Sequence, residues 1–178
     1  MMNIVILTGS VRRGGNTDQL ADAFIEGLGD RHHVERVSVA DYNVLPCCGC
    51  NRCFEAEGHR CVQEDDMQRI YAKLAEADML VIASPVYFYG ISAQLKAIID
   101  RLHTPMRDGF HIRKSALLLA GGSSRPEVFE AIVHQYQLCI KHFDIADQGM
   151  ILAGGCRQFG DVAHTEAIAQ VRQLGTRI

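Results

Sequence analysis

Two kinds of hydrophobic run alternate along the chain. Short, nearly continuous apolar runs occur at Asn3–Thr8 (NIVILT), Asp78–Ala83 (DMLVIA), Lys114–Ala120 (KSALLLA) and Gln148–Ala153 (QGMILA). Runs of this length predict strands covered on both faces. Val34–Val39 (VERVSV) alternates well enough to predict a further strand. Between these runs apolar residues recur at helical spacing. Leu20, Phe24 and Leu28 mark a helix starting near Thr17, and Met67, Ile70, Tyr71 and Leu74 a second. Leu95, Ile98, Ile99 and Leu102 form the stripe of a third over Ala93–Leu102. A long helix over Glu127–Phe143 is opened by Pro126, and a last one covers roughly Val162–Leu174. Asp65-Asp66 predicts an N-cap for the Met67 helix, a reading that outweighs an acid/base pair.

Five strands alternating with five helices predict an α/β fold with a parallel sheet between two helical layers. Both the dinucleotide-binding and the flavodoxin strand orders satisfy the pattern. In either, ligands bind beyond the carboxyl ends of the strands, which places the chemistry on the loops at Ser10, Pro85 and Gly121. No internal repeat, linker or low-complexity segment interrupts the chain, so one domain spanning 1–178 is expected.

Composition narrows the function classes. The chain has 178 residues, 48% apolar and 22% charged, enough to bury a hydrophobic core. A net charge of -3 gives no support for nucleic-acid or membrane-surface binding. No apolar run reaches bilayer length, and the start at Met1-Met2-Asn3 lacks the pattern of a signal peptide, so a cytoplasmic protein is expected.

The loop after the first strand reads Gly9-Ser10-Val11-Arg12-Arg13-Gly14-Gly15-Asn16-Thr17 and leads into a helix. It is neither a G-x-G-x-x-G fingerprint nor a P-loop. It offers hydroxyls, an amide, guanidiniums and glycine-freed N–H groups at a helix N-terminus, a set that suits a dianionic monophosphate. A polar turn with a plain N-cap is the competing reading. After the third strand comes Ser84-Pro85-Val86-Tyr87-Phe88-Tyr89-Gly90, whose three aromatics would be explained by a flat aromatic ligand, or by a cluster packed under the sheet edge or in a subunit interface.

These two stretches, GSVRRGGNT and SPVYFYGISAQLKAIIDR, resemble the signatures of NAD(P)H-dependent FMN reductases of the flavodoxin superfamily. The resemblance implies a flavodoxin-like three-layer sandwich with strand order 2-1-3-4-5. It also implies that Ser10, Arg12, Asn16 and Thr17 hold the FMN phosphate. Pro85, Val86, Tyr87, Phe88, Tyr89 and Gly90 would line the isoalloxazine ring. Gly121 and Gly122 would begin a third wall running to Ser124, and Arg13 is left without a role. Relatives of this kind are commonly dimers or tetramers, so the resemblance implies a homo-oligomer.

Five of the seven cysteines fall between Cys47 and Cys61, a density that argues for a metal or redox role rather than a disulfide framework in a reducing compartment. Cys47, Cys50, Cys53 and Cys61 form C-x2-C-x2-C-x7-C, and Cys48 breaks the register. Three readings stay open: an iron–sulfur cluster, structural zinc, and free or redox-paired thiols. The motif resembles that of iron–sulfur flavoproteins, which would make these four cysteines ligands of a [4Fe-4S] cluster near the flavin. Cys139 and Cys156 read as small core residues. Asp100 and Arg101 match the family's Asp-Arg and are expected to form a structural ion pair. The scattered histidines His32, His33, His111, His134, His142 and His164 show no metal spacing, and no serine sits in a nucleophile context.

The function expected is an FMN-dependent NAD(P)H oxidoreductase. Its hard chemistry would be carried by the flavin. Its acceptor would be a quinone, a free flavin, a metal ion or a nitro- or azo-aromatic. The alternative is an iron–sulfur flavoprotein electron carrier, exchanging single electrons with a ferredoxin-like partner. A third reading is a redox sensor that binds FMN without turnover.

Overall fold

The computed structural model describes residues 1–178. Its elements are β1 (Asn3–Thr8), α1 (Asn16–Leu28), β2 (His33–Ser38), α2 (Arg52–Glu55), α3 (Met67–Ala75) and β3 (Met79–Pro85), followed by α4 (Ala93–Asp100), β4 (Lys114–Ala120), α5 (Glu127–His142), β5 (Ala146–Ala153) and α6 (Ala167–Arg177). The strands pair in parallel in the order β2-β1-β3-β4-β5. The flavodoxin order implied by the resemblance is therefore the one adopted.

The apolar runs are continuous because both faces of the sheet are covered. Side chains alternate across a strand, so Ile4 and Ile6 of β1 pack with Phe24 and Leu28 of α1 and with Val171 and Leu174 of α6. Val5 and Leu7 face the other way, towards Ile70 and Leu74 of α3 and Leu95 and Ile98 of α4. Over β4, α5 adds Phe129, Ile132 and Tyr136 against Leu117 and Leu119. The chain leaves β1 for β2 on one side and returns to β3 on the other. The crevice at the carboxyl ends of β1 and β3 is thus the topological switch point, where such sheets bind ligands.

Apart from ends shifted by one or two residues, as in β2, β3 and α4, the elements depart from the sequence expectation as follows. β5 starts at Ala146 rather than Gln148, because the ladder shifts between Ser115↔Asp147 and Ala116↔Gly149 and leaves Gln148 bulged. A bulge takes up one extra residue on one strand of a pair. The expected last helix is split: a 3-10 turn over Asp161–His164 ends at Thr165, whose hydroxyl donates to the Val162 carbonyl, and α6 begins at Ala167. The short α2 inside the cysteine loop was not expected. At α3, Asp66 occupies the N-cap position without a side-chain cap, and Asp65 accepts from the Met67 N–H instead (3.1 Å).

Candidate functional site

At the switch point the β1–α1 loop, the end of β3 and the loops after β4 and β5 enclose a cleft of about 280 Å³. Its walls include Ser10, Arg12, Asn16, Thr17, Pro85, Val86, Tyr87 and Gly122, which brings together eight of the expected flavin-site residues. Gly15 is the N-cap of α1 and supplies no side-chain cap, so the first-turn N–H groups keep the positive end of the helix open towards the cleft. The turn is tight: a Cβ on Gly15 would lie 2.9 Å from the Arg12 carbonyl oxygen. Ser10 shapes the same turn, its hydroxyl oxygen accepting from the Arg12 N–H (3.1 Å).

The arginines of this loop separate by partner. Arg13 points away to Asp41, whose hydrogen bond holds the guanidinium above its usual value. Arg12 is exposed on the cleft wall and pairs with no carboxylate. The Asn16 side chain reaches the loop after β5. Its amide donates to the Cys156 and Gln158 carbonyls (3.3 and 2.8 Å) and accepts from the Val162 N–H (3.1 Å). It pins the start of α1 to the loop after β5, so its contribution at the cleft is the helix start.

The aromatic loop forms a two-residue turn closed by the Tyr87↔Gly90 bridge, with Phe88 and Tyr89 at positive φ (46° and 64°). Tyr87 lines the cleft, whereas Phe88 and Tyr89, 97% and 56% exposed, project from its rim, and Gly90 closes the turn beside them. Gly121 sits behind the wall, where a Cβ would meet the Phe129 ring at 3.0 Å. Sequence reasoning missed the fourth wall: Cys156, Arg157 and Phe159 after β5. Arg157 Nε donates to the Gly122 carbonyl (3.0 Å), which puts a second guanidinium stem on the cleft. Gly154-Gly155 at the end of a predicted strand was the available signal, because all carboxyl ends of such a sheet share one rim.

The cysteine loop lies over the α3–α4 side. Cys47, Cys48 and Cys50 are exposed, Cys53 and Cys61 half-buried, and none is in a disulfide. No three of the thiols lie close enough to share a metal ion. The base of the loop is clamped: Asp65 accepts from the Leu45 N–H (2.8 Å), and Arg101 pairs with Asp65 and donates to the Leu45 carbonyl (3.2 Å). The expected pairing of Asp100 with Arg101 is therefore replaced. Asp100 pairs with Lys96 one turn earlier, and Arg101 reaches across to Asp65.

The thiols differ in reactivity. The Arg52 N–H, with a hydrogen bond from Cys48, holds the Cys50 thiol below its usual value, while burial pushes Cys139 and Cys156 up. Because the thiolate is the nucleophile, iodoacetamide at neutral pH is expected to label Cys50 before Cys139 and Cys156 in metal-free protein. Timed peptide mass spectrometry reads the order.

A flavodoxin-like sheet with a cleft at its switch point, lined by hydroxyls, a guanidinium and an open helix start, defines the class: an α/β protein with a candidate ligand site at its strand ends. The chain belongs to the NADPH-dependent FMN reductase family, whose pattern matches residues 2–151. Membership makes it an FMN-dependent oxidoreductase that draws on NAD(P)H. It is similar to an iron–sulfur flavoprotein of Methanocaldococcus jannaschii, with 40% identity over 75% of this chain and 69% of that protein. An iron–sulfur flavoprotein of Methanosarcina thermophila is 32% identical over 93% of this chain and 84% of its own length. Among solved structures, the NAD(P)H:quinone oxidoreductase of Methanothermobacter marburgensis superposes with a TM-score of 0.76 at 20% identity, covering 99% and 96% of the two chains, a likeness of fold. No helix is long and apolar enough to cross a membrane.

Proposed function

We propose that residues 1–178 form one FMN-binding domain that passes reducing equivalents from NAD(P)H to a small-molecule acceptor such as a quinone or a flavin. The observation that carries this reading is the cradle at Ser10, Arg12, Gly15 and Thr17, set at the start of α1 and opening on the switch-point cleft. These residues fit a phosphate monoester. The helix start and the Arg12 guanidinium supply positive potential, and Thr17 and Ser10 supply hydroxyls. Bound there, FMN would supply hydride acceptance and onward electron transfer. Pro85, Val86 and Tyr87 would then line the ring side of the cleft, with Phe88 and Tyr89 held at its rim. Arg157, held by its bond to the Gly122 carbonyl, would add a second guanidinium to the same cleft.

Removal of the Arg12 charge gives the direct test. Hydrogen bonds to charged groups are worth roughly 1.5–3 kcal/mol, so Arg12→Ala is expected to weaken FMN binding by about ten- to hundredfold. Riboflavin, which lacks the phosphate, should bind wild type and variant alike. Fluorescence titration with both flavins reads the difference, and equal losses for the two would count against the cradle.

A second reading is favoured by the four-cysteine loop: an electron carrier that pairs FMN with a [4Fe-4S] cluster and serves a ferredoxin-like partner. The donor set suits a cluster rather than a single ion, since each iron of a cluster takes its own thiol and Cys47, Cys50, Cys53 and Cys61 are all free on one segment clamped at its base. Cys48 would be the spare thiol. Bound there, the cluster would supply one-electron transfer. Iron and labile-sulfide analysis of anaerobically purified protein separates the readings: flavin alone supports the reductase, stoichiometric iron and sulfide the carrier. We also propose a homo-oligomer. It is supported by the apolar groove between α4 and α5, where Ile99, Leu102 and the exposed Leu138 lie, and light scattering on the eluted holoprotein tests it.

A further inference from the structure

Arg101, just after α4, is the one ionisable Arg, Lys, Asp, Glu or His residue buried as a whole, backbone included, with its side chain 2% exposed. A guanidinium carries five N–H donors. Nη1 is used on Asp65 and on the Leu45 carbonyl, but Nε and Nη2 are buried without any acceptor. A buried donor without a partner loses its hydration and gains nothing in return, so a fold that retains this arrangement needs an acceptor at that place.

The surroundings narrow what the acceptor is. Leu45 stands two residues before Cys47 and Asp65 four residues after Cys61, so both ends of the cysteine loop meet at the guanidinium. From above, the Phe54 ring, next to Cys53, packs 5.9 Å from the His103 ring, two residues beyond Arg101. Tyr71 completes the enclosure, its phenol donating to the Arg101 carbonyl oxygen (2.7 Å). Burial pushes that phenol up to about 12, so it is neutral and already committed. The half-buried thiols of the cysteine loop are Cys53 and Cys61. Two spare donors therefore sit at the base of the loop that carries those two.

We propose that Arg101 is a positioning residue for a cluster held by the cysteine loop: Nη1 clamps the loop ends through Asp65 and Leu45, while Nε and Nη2 donate N–H···S hydrogen bonds to sulfur on the Cys53–Cys61 side. This rests on the iron–sulfur reading above. Hydrogen bonds to cluster sulfurs favour the more negatively charged, reduced state and raise its potential. Lysine at this place keeps the positive charge and the pairing with Asp65 but loses the planar fork. The variant thus isolates the spare donors from the clamp.

The experiment uses anaerobically prepared, FMN-loaded protein with its cluster reconstituted, comparing wild type, Arg101→Lys and Tyr71→Phe. Iron content, circular dichroism and a redox titration followed by electron paramagnetic resonance are read on each. Arg101→Lys is expected to fold and to show, at a fixed potential, an about tenfold lower ratio of reduced to oxidised cluster, a fall of about 59 mV for one electron. Tyr71→Phe loosens the same region without touching the donors and should titrate as wild type. A cluster in Arg101→Lys with wild-type potential would overturn the proposal while leaving the iron–sulfur reading intact. An equal shift in Tyr71→Phe would also overturn it, by assigning Arg101 a structural effect alone. Wild type that binds FMN and no iron would overturn both. If Arg101→Lys fails to fold, guanidino-15N arginine is placed in an otherwise intact R52K/R60K background. Nitrogen hyperfine coupling to the reduced cluster then supports the proposal, and its absence, as for donors spent on water, refutes it.

Discussion

Asp65→Ala is expected to destabilise the protein by about 3–5 kcal/mol, the usual cost of stripping one partner from a buried ion pair. The Asp65 and Arg101 side chains are 1% and 2% exposed, so water cannot take the place of the lost carboxylate. The same change removes the acceptor for the Leu45 and Met67 N–H groups, freeing the base of the cysteine loop and the first turn of α3 together. At roughly 2–4 °C per kcal/mol for a chain of this size, the midpoint should fall by about 6–20 °C. The pH dependence carries a second signature. Burial works against the Asp65 charge, but the Arg101 hydrogen bond and the Leu45 and Met67 N–H groups outweigh it and hold the carboxyl below its usual value. With the folded value depressed, this contribution is fully present above the unfolded pKa of about 3.9 and is lost as pH falls through the folded value. Urea unfolding of both proteins at neutral pH and between about pH 4 and pH 2 should show the gap closing on the acid side. A variant with wild-type stability at neutral pH would remove the clamp from the account of the loop.

That clamp marks the limit of what the chain order reveals. β1 and β4 were legible to the residue, because burial on both faces imposes uninterrupted apolar runs on a strand. The crevice was legible too, because glycine and hydroxyl residues cluster where β1 ends. Asp65, by contrast, sits where any helix N-cap would, and Arg101 directly follows an aspartate. Local reasoning therefore gave each a neighbour as partner, whereas the tertiary fold joins them across 36 positions. The placement of Phe88 and Tyr89 was not legible either. Three successive aromatics suggest enclosure around a ligand, but the two-residue turn closed by Tyr87 and Gly90 turns the middle pair outward. Asn16 shows the same division of labour within the phosphate loop. Its position at the helix start follows from the sequence, and its side-chain partners, 140 residues and more away, do not.

The crossing of α1 and α6 sets the second large effect. Gly27→Ala is expected to cost about 3 kcal/mol, although alanine in a helix interior is ordinarily about 1 kcal/mol better than glycine. A Cβ at Gly27 would lie 2.1 Å from the Arg172 carbonyl oxygen, and one at Gly175 would lie 2.5 Å from the Phe24 carbonyl oxygen. The obstacle is backbone on both sides, so no rotamer change relieves it and the helices must separate. Separation opens the seam that buries Phe24, Leu28, Val171 and Leu174. It also strains Arg31, whose Nη2 donates to the Gly27 and Gly175 carbonyls at 3.0 Å each and ties the two helix ends together. Because α1 presents its opposite end to the phosphate cradle, a displaced α1 should weaken FMN binding as well as stability. Gly109→Ala is the control, since a Cβ there meets nothing within 4 Å and the change should be neutral or slightly stabilising. Denaturant unfolding reads the difference, and a stabilised Gly27→Ala protein would show that α1 and α6 do not meet through their backbones.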